Sequence, residues 1–164
     1  MKRIDRTIVF FLLSFTLILL TGCNSSKKWE KEEKQQIQDY LKTLGDTVAV
    51  LKPNGLYFIN IQEGTGRTPV ANDTAFIWYK ATYINGTLFT TNYDQTSPYG
   101  FIVGYGPLAG IDEGIQYMKN GGIAKFIMPS SLAYGSYGIP GLLSGYTPLL
   151  WNITLANVIA GSKK

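Results

Sequence analysis

The first part of the chain combines one apolar run with one amphipathic segment. Residues 8–20 form a thirteen-residue apolar run that only Ser14 and Thr16 interrupt. A helix that crosses a bilayer needs about 20 such residues, so this run is short for a membrane span. Apolar residues then recur at spacings of three and four over residues 29–44, which predicts an amphipathic helix. The polar segment 24–28 between the two is expected to be a tether.

Two interpretations of the helix over residues 29–44 stay open. It is either a stalk that flanks the next domain and lifts it off a membrane, or a helix that binds a partner or a second copy of the chain. One short amphipathic stripe fits both interpretations.

From residue 53 onward the hydrophobic pattern is typical of strands and turns. Asn85-Gly86 is a strong two-residue hairpin signal. The predicted strands cover residues 56–62, 74–84, 87–91, 99–104, 123–128 and 148–159. One helix is predicted over residues 108–118, and its apolar stripe consists of Leu108, Ile111, Ile115 and Met118. Strands joined by hairpins and followed by one late helix predict an α+β fold, in which a twisted antiparallel sheet wraps around the short helix.

Charge and composition exclude several classes of function. The formal net charge is +4, but residues 52–159 hold five Lys or Arg against five Asp or Glu. A nucleic-acid partner requires a basic face, so none is expected here. The chain has no histidine, and its single cysteine excludes an intrachain disulfide. No metal site or cofactor is predicted.

One motif competes with that last expectation. Gly104-Tyr105-Gly106-Pro107-Leu108-Ala109 formally matches the G-x-G-x-x-A pattern of dinucleotide-binding turns. Such a turn requires a βαβ unit and an acidic residue about 20 positions further on. The antiparallel strand pattern does not provide that unit, so the match is interpreted as coincidental.

The N-terminus has the pattern of a secretory leader. Lys2, Arg3 and Arg6 precede the apolar run, which is typical of a signal peptide. Leu20-Thr21-Gly22-Cys23 resembles the lipobox of bacterial lipoproteins. The resemblance implies that residues 1–22 are a signal peptide and that Cys23 carries a lipid that anchors the chain to a membrane.

The leader also suggests a location, although alternatives remain. Asn24 follows the cysteine where an Asp would indicate retention at the inner membrane, which favours a bacterial outer membrane facing the periplasm. The alternatives are an uncleaved amphipathic anchor or a cysteine at this position by chance.

The second resemblance covers residues 54–159, about two thirds of the chain. Four blocks carry it, in the order Asn85-Gly86-Thr87-Leu88-Phe89, Pro98-Tyr99-Gly100-Phe101, Gly110-Ile111-Asp112-Glu113-Gly114 and Leu132-Ala133-Tyr134-Gly135. In this order and spacing they resemble the FKBP-type peptidyl-prolyl cis/trans isomerases. The resemblance implies an isomerase domain over residues 53–160 that acts on proline-containing polypeptides. Residues 23–52 would then hold the lipidated cysteine, the tether and the flanking helix.

The family pattern also implies a set of site residues. The implied catalytic positions are Tyr79, Phe89, Tyr134 and Trp151. The implied binding positions are Tyr99, Leu108, Ile111, Ile139, Leu142 and Leu143. Aromatic side chains would enclose a proline ring while the Tyr134 hydroxyl donates to a peptide carbonyl. Each aromatic could instead be an ordinary core residue.

Two positions depart from that pattern. Thr90 stands where the family usually has Asp, and Ile111 stands where it usually has Trp. The resemblance as a whole implies a membrane-tethered isomerase that assists the folding of envelope proteins, and the two departures are the reason for an alternative. The alternative is a catalytically weak or inactive peptide-binding or chaperone-like module.

Overall fold

The N-terminal part of the chain is one long helix. The computed structural model describes residues 6–45 and 48–161, and the side chains of residues 25–45 and 48–161. Helix α1 spans Arg6–Thr43. Residues 24–28, which the sequence predicts to be a tether, lie within α1. No Gly or Pro interrupts residues 23–44, and long straight-chain side chains dominate the segment after 26, so nothing there ends the helix.

Part of the predicted leader falls outside the described residues. Residues 1–5 and the side chain of Cys23 lie outside the described residues. Within the part of the chain that is described, no helix is both long enough and apolar enough to cross a membrane.

The chain divides into two compact units, residues 1–32 and residues 33–164. In the described part of the first unit, Lys28 and Glu32 form an exposed ion pair one helical turn apart, at 3.8 Å. The second unit holds the end of α1, the sheet, the second helix and the site described below.

An antiparallel sheet of seven strands forms the body of the second unit. Its strands are β1 (Val50–Leu51), β2 (Tyr57–Gln62), β3 (Thr74–Tyr83), β4 (Leu88–Thr91), β5 (Tyr99–Ile102), β6 (Ile123–Met128) and β7 (Leu149–Ile159). They lie in the order β1-β2-β6-β7-β3-β4, and β5 pairs with the first half of β3. Gly86 takes the positive φ of 89° that the predicted hairpin between β3 and β4 requires. The predicted antiparallel α+β fold is confirmed, although the pattern did not indicate β1.

A short second helix packs on the inner face of this sheet. Helix α2 spans Ala109–Gly114 and continues as a 3-10 turn, Ile115–Tyr117. It is shorter than predicted because Leu108 is extended, with φ −142°, and acts as the N-cap. Ile111, Ile115 and Met118 of the predicted stripe are buried against the sheet, with β7 residues Leu149, Trp151, Ile153 and Leu155 alternating on the same face as predicted.

The outer face of the sheet is covered by the end of α1. Ile37 is buried in a second apolar cluster with Ile59, Ile127 and Leu150, which belong to β2, β6 and β7. The side chains of β6 and β7 therefore alternate between two separate cores, one under α2 and one under α1.

A buried carboxylate connects the segment just after β7 to the segment before β3. Asp73 accepts hydrogen bonds from the backbone N–H groups of Val70 and Gly161, both at 3.0 Å, and from Arg67 at 2.7 Å. The Val70 bond is the main cause that lowers the pKa of Asp73 below its ordinary range, and the Gly161 bond and the Arg67 charge act in the same direction.

Candidate functional site

An open cleft of about 280 Å³ lies between the sheet and the start of α2. Nine residues line it: Ile77, Tyr79, Thr90, Tyr99, Pro107, Leu108, Ile111, Tyr134 and Trp151. They come from β3, β4, β5, β7, the turn into α2, α2 itself and the loop after β6. None of the nine carries a charge, so the cleft is an apolar site with a few hydroxyl groups at its wall.

The floor and one wall of the cleft are fixed by the core. Ile111 is 1% exposed and Trp151 is 3% exposed, so both belong to the core and to the cleft lining. The rings of Trp151 and Tyr79 lie 5.4 Å apart at an angle of 48°. Among the described residues, the buried indole N–H of Trp151 has no hydrogen-bond partner. Rigid rings at such positions give the site a fixed shape.

A buried amide holds the strand that carries two of the lining residues. Asn92 accepts from the backbone N–H of Tyr79 at 2.6 Å and donates to the carbonyl of Ile77 at 3.0 Å. The backbone N–H of Asn92 donates to the carbonyl of Tyr79 at 3.1 Å. Asn92 thus supports the cleft without lining it.

The turn into α2 is fixed by Asp112. Both oxygens of its carboxylate accept from the backbone N–H of Gly104, at 2.9 and 3.0 Å. Pro107 and Leu108 lie between these two residues and face the cleft. Leu108 contributes its partly buried side chain, and its carbonyl accepts from the N–H groups of Ile111 and Asp112.

Tyr134 is the best candidate for a polar contact with a ligand. Burial, together with the neighbouring Tyr79, raises the pKa of the Tyr134 hydroxyl above its ordinary value of 10.0. The hydroxyl is therefore protonated at neutral pH and can donate a hydrogen bond. Its ring lies edge-on to the ring of Phe89, with the centroids 5.6 Å apart.

Phe89 packs next to the cleft lining. It is sandwiched between Tyr134 and Tyr83, whose ring centroid is 5.8 Å away, and it is not among the lining residues. The hydroxyl of Tyr83 donates to the carbonyl of Leu142 at 2.9 Å, which fixes the far end of the long loop. Phe89 therefore packs directly against a residue of the cleft lining.

The three loop residues from the family pattern also lie outside the cleft lining. Ile139 and Leu143 exchange backbone hydrogen bonds of 2.8 and 2.9 Å and pack against the main core. Leu142 is 61% exposed. In the structure as it stands, the loop covers the core beside the cleft.

The structure thus brings together six of the ten predicted site residues: Tyr79, Tyr99, Leu108, Ile111, Tyr134 and Trp151. Ile77 and Pro107 were missed, although strand alternation from Tyr79 places Ile77 on the same face. Asn92 was missed as well, because nothing in its sequence context indicates a buried amide. Thr90 lines the cleft at the position where the sequence departs from the family pattern.

The chemistry of the lining limits what the cleft can do. The lining offers no paired carboxylates and no nucleophile with an adjacent base. Within the described residues, no group of three or more His, Cys, Asp or Glu side chains is placed to hold a metal ion. An apolar cleft with isolated donors is suited to binding a peptide segment and changing its conformation.

Comparison with known proteins identifies the family. Residues 65–156 match the family of FKBP-type peptidyl-prolyl cis-trans isomerases. The chain belongs to this family. FKBP-type peptidyl-prolyl cis-trans isomerase FkpA of Escherichia coli K12 is 32% identical over 135 residues, which cover 82% of this chain and 46% of that protein. The FK506-binding protein of Neisseria meningitidis is 32% identical over 105 residues, which cover 63% of this chain and 96% of that protein.

Solved structures agree with this assignment. The crystal structure of FkpA from Escherichia coli superimposes with a TM-score of 0.71 at 27% identity, covering 98% of this chain and 76% of that one. AtFKBP13 superimposes with a TM-score of 0.60 at 28% identity, covering 70% of this chain and 98% of that one. The match covers less than half the length of Escherichia coli FkpA and of the Mip protein of Coxiella burnetii.

Proposed function

We propose that this chain is a peptidyl-prolyl cis/trans isomerase that acts on proline-containing polypeptides bound in the cleft. The observation that carries the proposal is the uncharged cleft, in which the protonated Tyr134 hydroxyl faces apolar and aromatic walls. Rotation about a peptide bond has a barrier of about 18–20 kcal/mol, and for X-Pro the two isomers are close in energy.

The cleft is suited to this reaction because no bond is made or broken. The twisted amide loses its resonance and is less dipolar than the planar ground state. A cleft with little water therefore stabilises the twisted form relative to the planar one. Ile111 and Trp151 form the floor that receives the proline ring, and Tyr134 donates to a peptide carbonyl.

A protease-coupled assay on short X-Pro peptides tests the proposal with the full-length chain in a mild detergent. We expect acceleration above the uncatalysed rate and a clear loss in Tyr134→Phe. Tyr137→Phe is the matched control, because Tyr137 lies on the same loop and is 92% exposed. No acceleration by the unmutated chain would refute the isomerase proposal.

A second candidate function is a peptide-binding module with little catalysis. Two features of the lining favour it. No carboxylate lines the cleft, because Thr90 stands where the family usually has Asp, and Ile111 stands where it usually has Trp. Titration of a fluorescent proline peptide distinguishes the two candidates. Binding without acceleration supports the second candidate, and absence of both excludes it as well.

We further propose that a lipid on Cys23 tethers the protein to the bacterial envelope, in the outer membrane facing the periplasm, where it assists folding proteins. The proposal rests on the charged start, the short apolar run and the Leu20-Thr21-Gly22-Cys23 sequence. Cys23→Ala is expected to release the protein from the membrane fraction and to abolish incorporation of labelled palmitate. If the variant stays in the membrane fraction, an uncleaved anchor holds the chain instead.

A further inference from the structure

A buried carboxylate of α1 reaches the loop that carries Tyr134. Glu33 is 7% exposed, and its carboxylate accepts two hydrogen bonds from one residue, Ser130: one from the backbone N–H and one from the hydroxyl at 2.9 Å. Ser130 is itself only 4% exposed. We infer that Glu33 is a positioning residue for Tyr134 and acts through Ser130, an inference that rests on the proposed function of the cleft.

Ser130 is also hydrogen-bonded to the backbone on both sides of Tyr134. Its carbonyl accepts from the N–H of Ala133 and from the N–H of Gly135, both at 2.8 Å. These two residues are the immediate neighbours of Tyr134 in the chain. One residue therefore uses its N–H and hydroxyl to bind α1 and its carbonyl to bind the segment that carries Tyr134.

Apolar packing holds the end of α1, which carries Glu33, against the sheet. One helical turn after Glu33, Ile37 is 4% exposed and belongs to the same apolar cluster as Ile127, near the end of β6. Ser130 follows that strand by two residues. The apolar contact and the Glu33 contact thus lie at the same end of β6, so the position of α1 determines where the Tyr134 loop begins.

The burial of Glu33 indicates that this contact is specific. A carboxylate loses its hydration when it is buried, and the cost is offset only when its oxygens accept good hydrogen bonds. Both oxygens of Glu33 do so, and both bonds come from Ser130. Loss of the carboxylate would leave the Ser130 N–H and hydroxyl buried without an acceptor.

Amide hydrogen exchange of the full-length chain tests the inference directly. In Glu33→Ala, the amides of Ala133 and Gly135 are expected to exchange about tenfold faster. Glu33→Gln is the rescue variant, because its amide can still accept from the Ser130 N–H and donate to the hydroxyl. Lys34→Ala is the matched control on the exposed side of the same turn. Val158→Ala, in the core at the far end of β7, controls for a general loss of stability.

A double-mutant cycle then tests whether the contact acts through Tyr134. Glu33→Ala is expected to lower kcat/KM on an X-Pro peptide by about fivefold, and this loss is expected to shrink in a Tyr134→Phe background. Additive losses would overturn the inference, as would unchanged exchange at the two amides in Glu33→Ala. If the unmutated chain neither binds nor isomerises peptides, the proposed function fails, and the exchange result still decides whether Glu33 positions the loop.

Discussion

The close approach of α2 to the sheet depends on two glycines, and replacing one of them has a predictable cost. A methyl carbon added at Gly114 would lie 2.7 Å from Cζ of Phe126 and closer still to its Cε2. At Gly110 the corresponding carbon would lie 2.7 Å from Cε and 2.8 Å from Sδ of Met128. Ordinary carbon contacts are about 3.5–4.0 Å, so either substitution requires the helix or the sheet to move.

Two opposing effects determine the magnitude. Within a helix, Ala is favoured over Gly by about 0.5–1 kcal/mol. Overpacking a core costs about 1–3 kcal/mol. Phe126 is fully buried and its ring is held 5.7 Å from the ring of Phe58, so the cost at Gly114 lies near the upper end. We expect Gly114→Ala to lower the free energy of unfolding by about 2 kcal/mol. Gly110→Ala should cost about 1 kcal/mol, because the flexible Met128 side chain can yield.

Urea denaturation followed by tryptophan fluorescence measures these differences. Gln116→Ala, on the exposed side of the following turn, is the control and is expected to lie within about 0.5 kcal/mol of the unmutated chain. Because Ile111 lies between the two glycines and forms the cleft floor, Gly114→Ala should also weaken peptide binding. A Gly114→Ala variant as stable as the unmutated chain would refute the reasoning, since propensity would then outweigh the contact with Phe126.

Three further predictions concern single groups. Asp73→Asn is expected to lower the free energy of unfolding by about 1–3 kcal/mol in urea titrations at neutral pH, because an amide cannot accept from all three donors. Since the folded pKa is below the ordinary 3.8, the unmutated chain should keep this advantage above that pH and lose it as the pH falls through the folded pKa, so a difference between the two forms that does not shrink on acidification would contradict this. Because the pKa of the Tyr134 hydroxyl is raised above 10.0, peptide affinity that depends on this hydroxyl should persist up to that pH and fall only above it. Fluorescence titrations measure the affinity, and Tyr134→Phe should show no such fall. Thr90→Asp combined with Ile111→Trp is expected to raise kcat/KM on X-Pro peptides by about tenfold, or about 1.4 kcal/mol in transition-state stabilisation, and unchanged activity would show that these positions do not limit catalysis.

Local patterns predicted most of the fold because the relevant signals are short in sequence. The Asn85-Gly86 turn fixed one hairpin, and the alternation along β7 identified its buried face before any pairing was known. The extent of α1 was not predictable in the same way. Polar residues at 24–28 fit a tether and an exposed helix equally well, and only continuation of the hydrogen-bonded backbone distinguishes them.

The candidate site separates into residues with a sequence signal and residues without one. Tyr134 and Trp151 stand in recognisable contexts, and the structure places both in the cleft lining. Phe89 stands in such a context too, and its place beside Tyr134 depends on how Tyr83 and Tyr134 pack around it. Asn92 has no motif, since its role follows from two backbone groups of β3 that are 13 and 15 residues away in the chain.

Glu33 illustrates the same limit over a longer distance. In sequence it belongs to an apolar-periodic stripe at a position where a charged residue looks like an interruption. In the structure its partner is Ser130, 97 residues away. Burying a charged side chain costs free energy unless hydrogen-bond donors contact it. Such a residue in a helical stripe therefore indicates that a specific contact exists, but it does not indicate which residue provides the donors. The partner follows only from the tertiary arrangement, in which the end of α1 packs on β6. The contact links α1 to the loop that carries Tyr134.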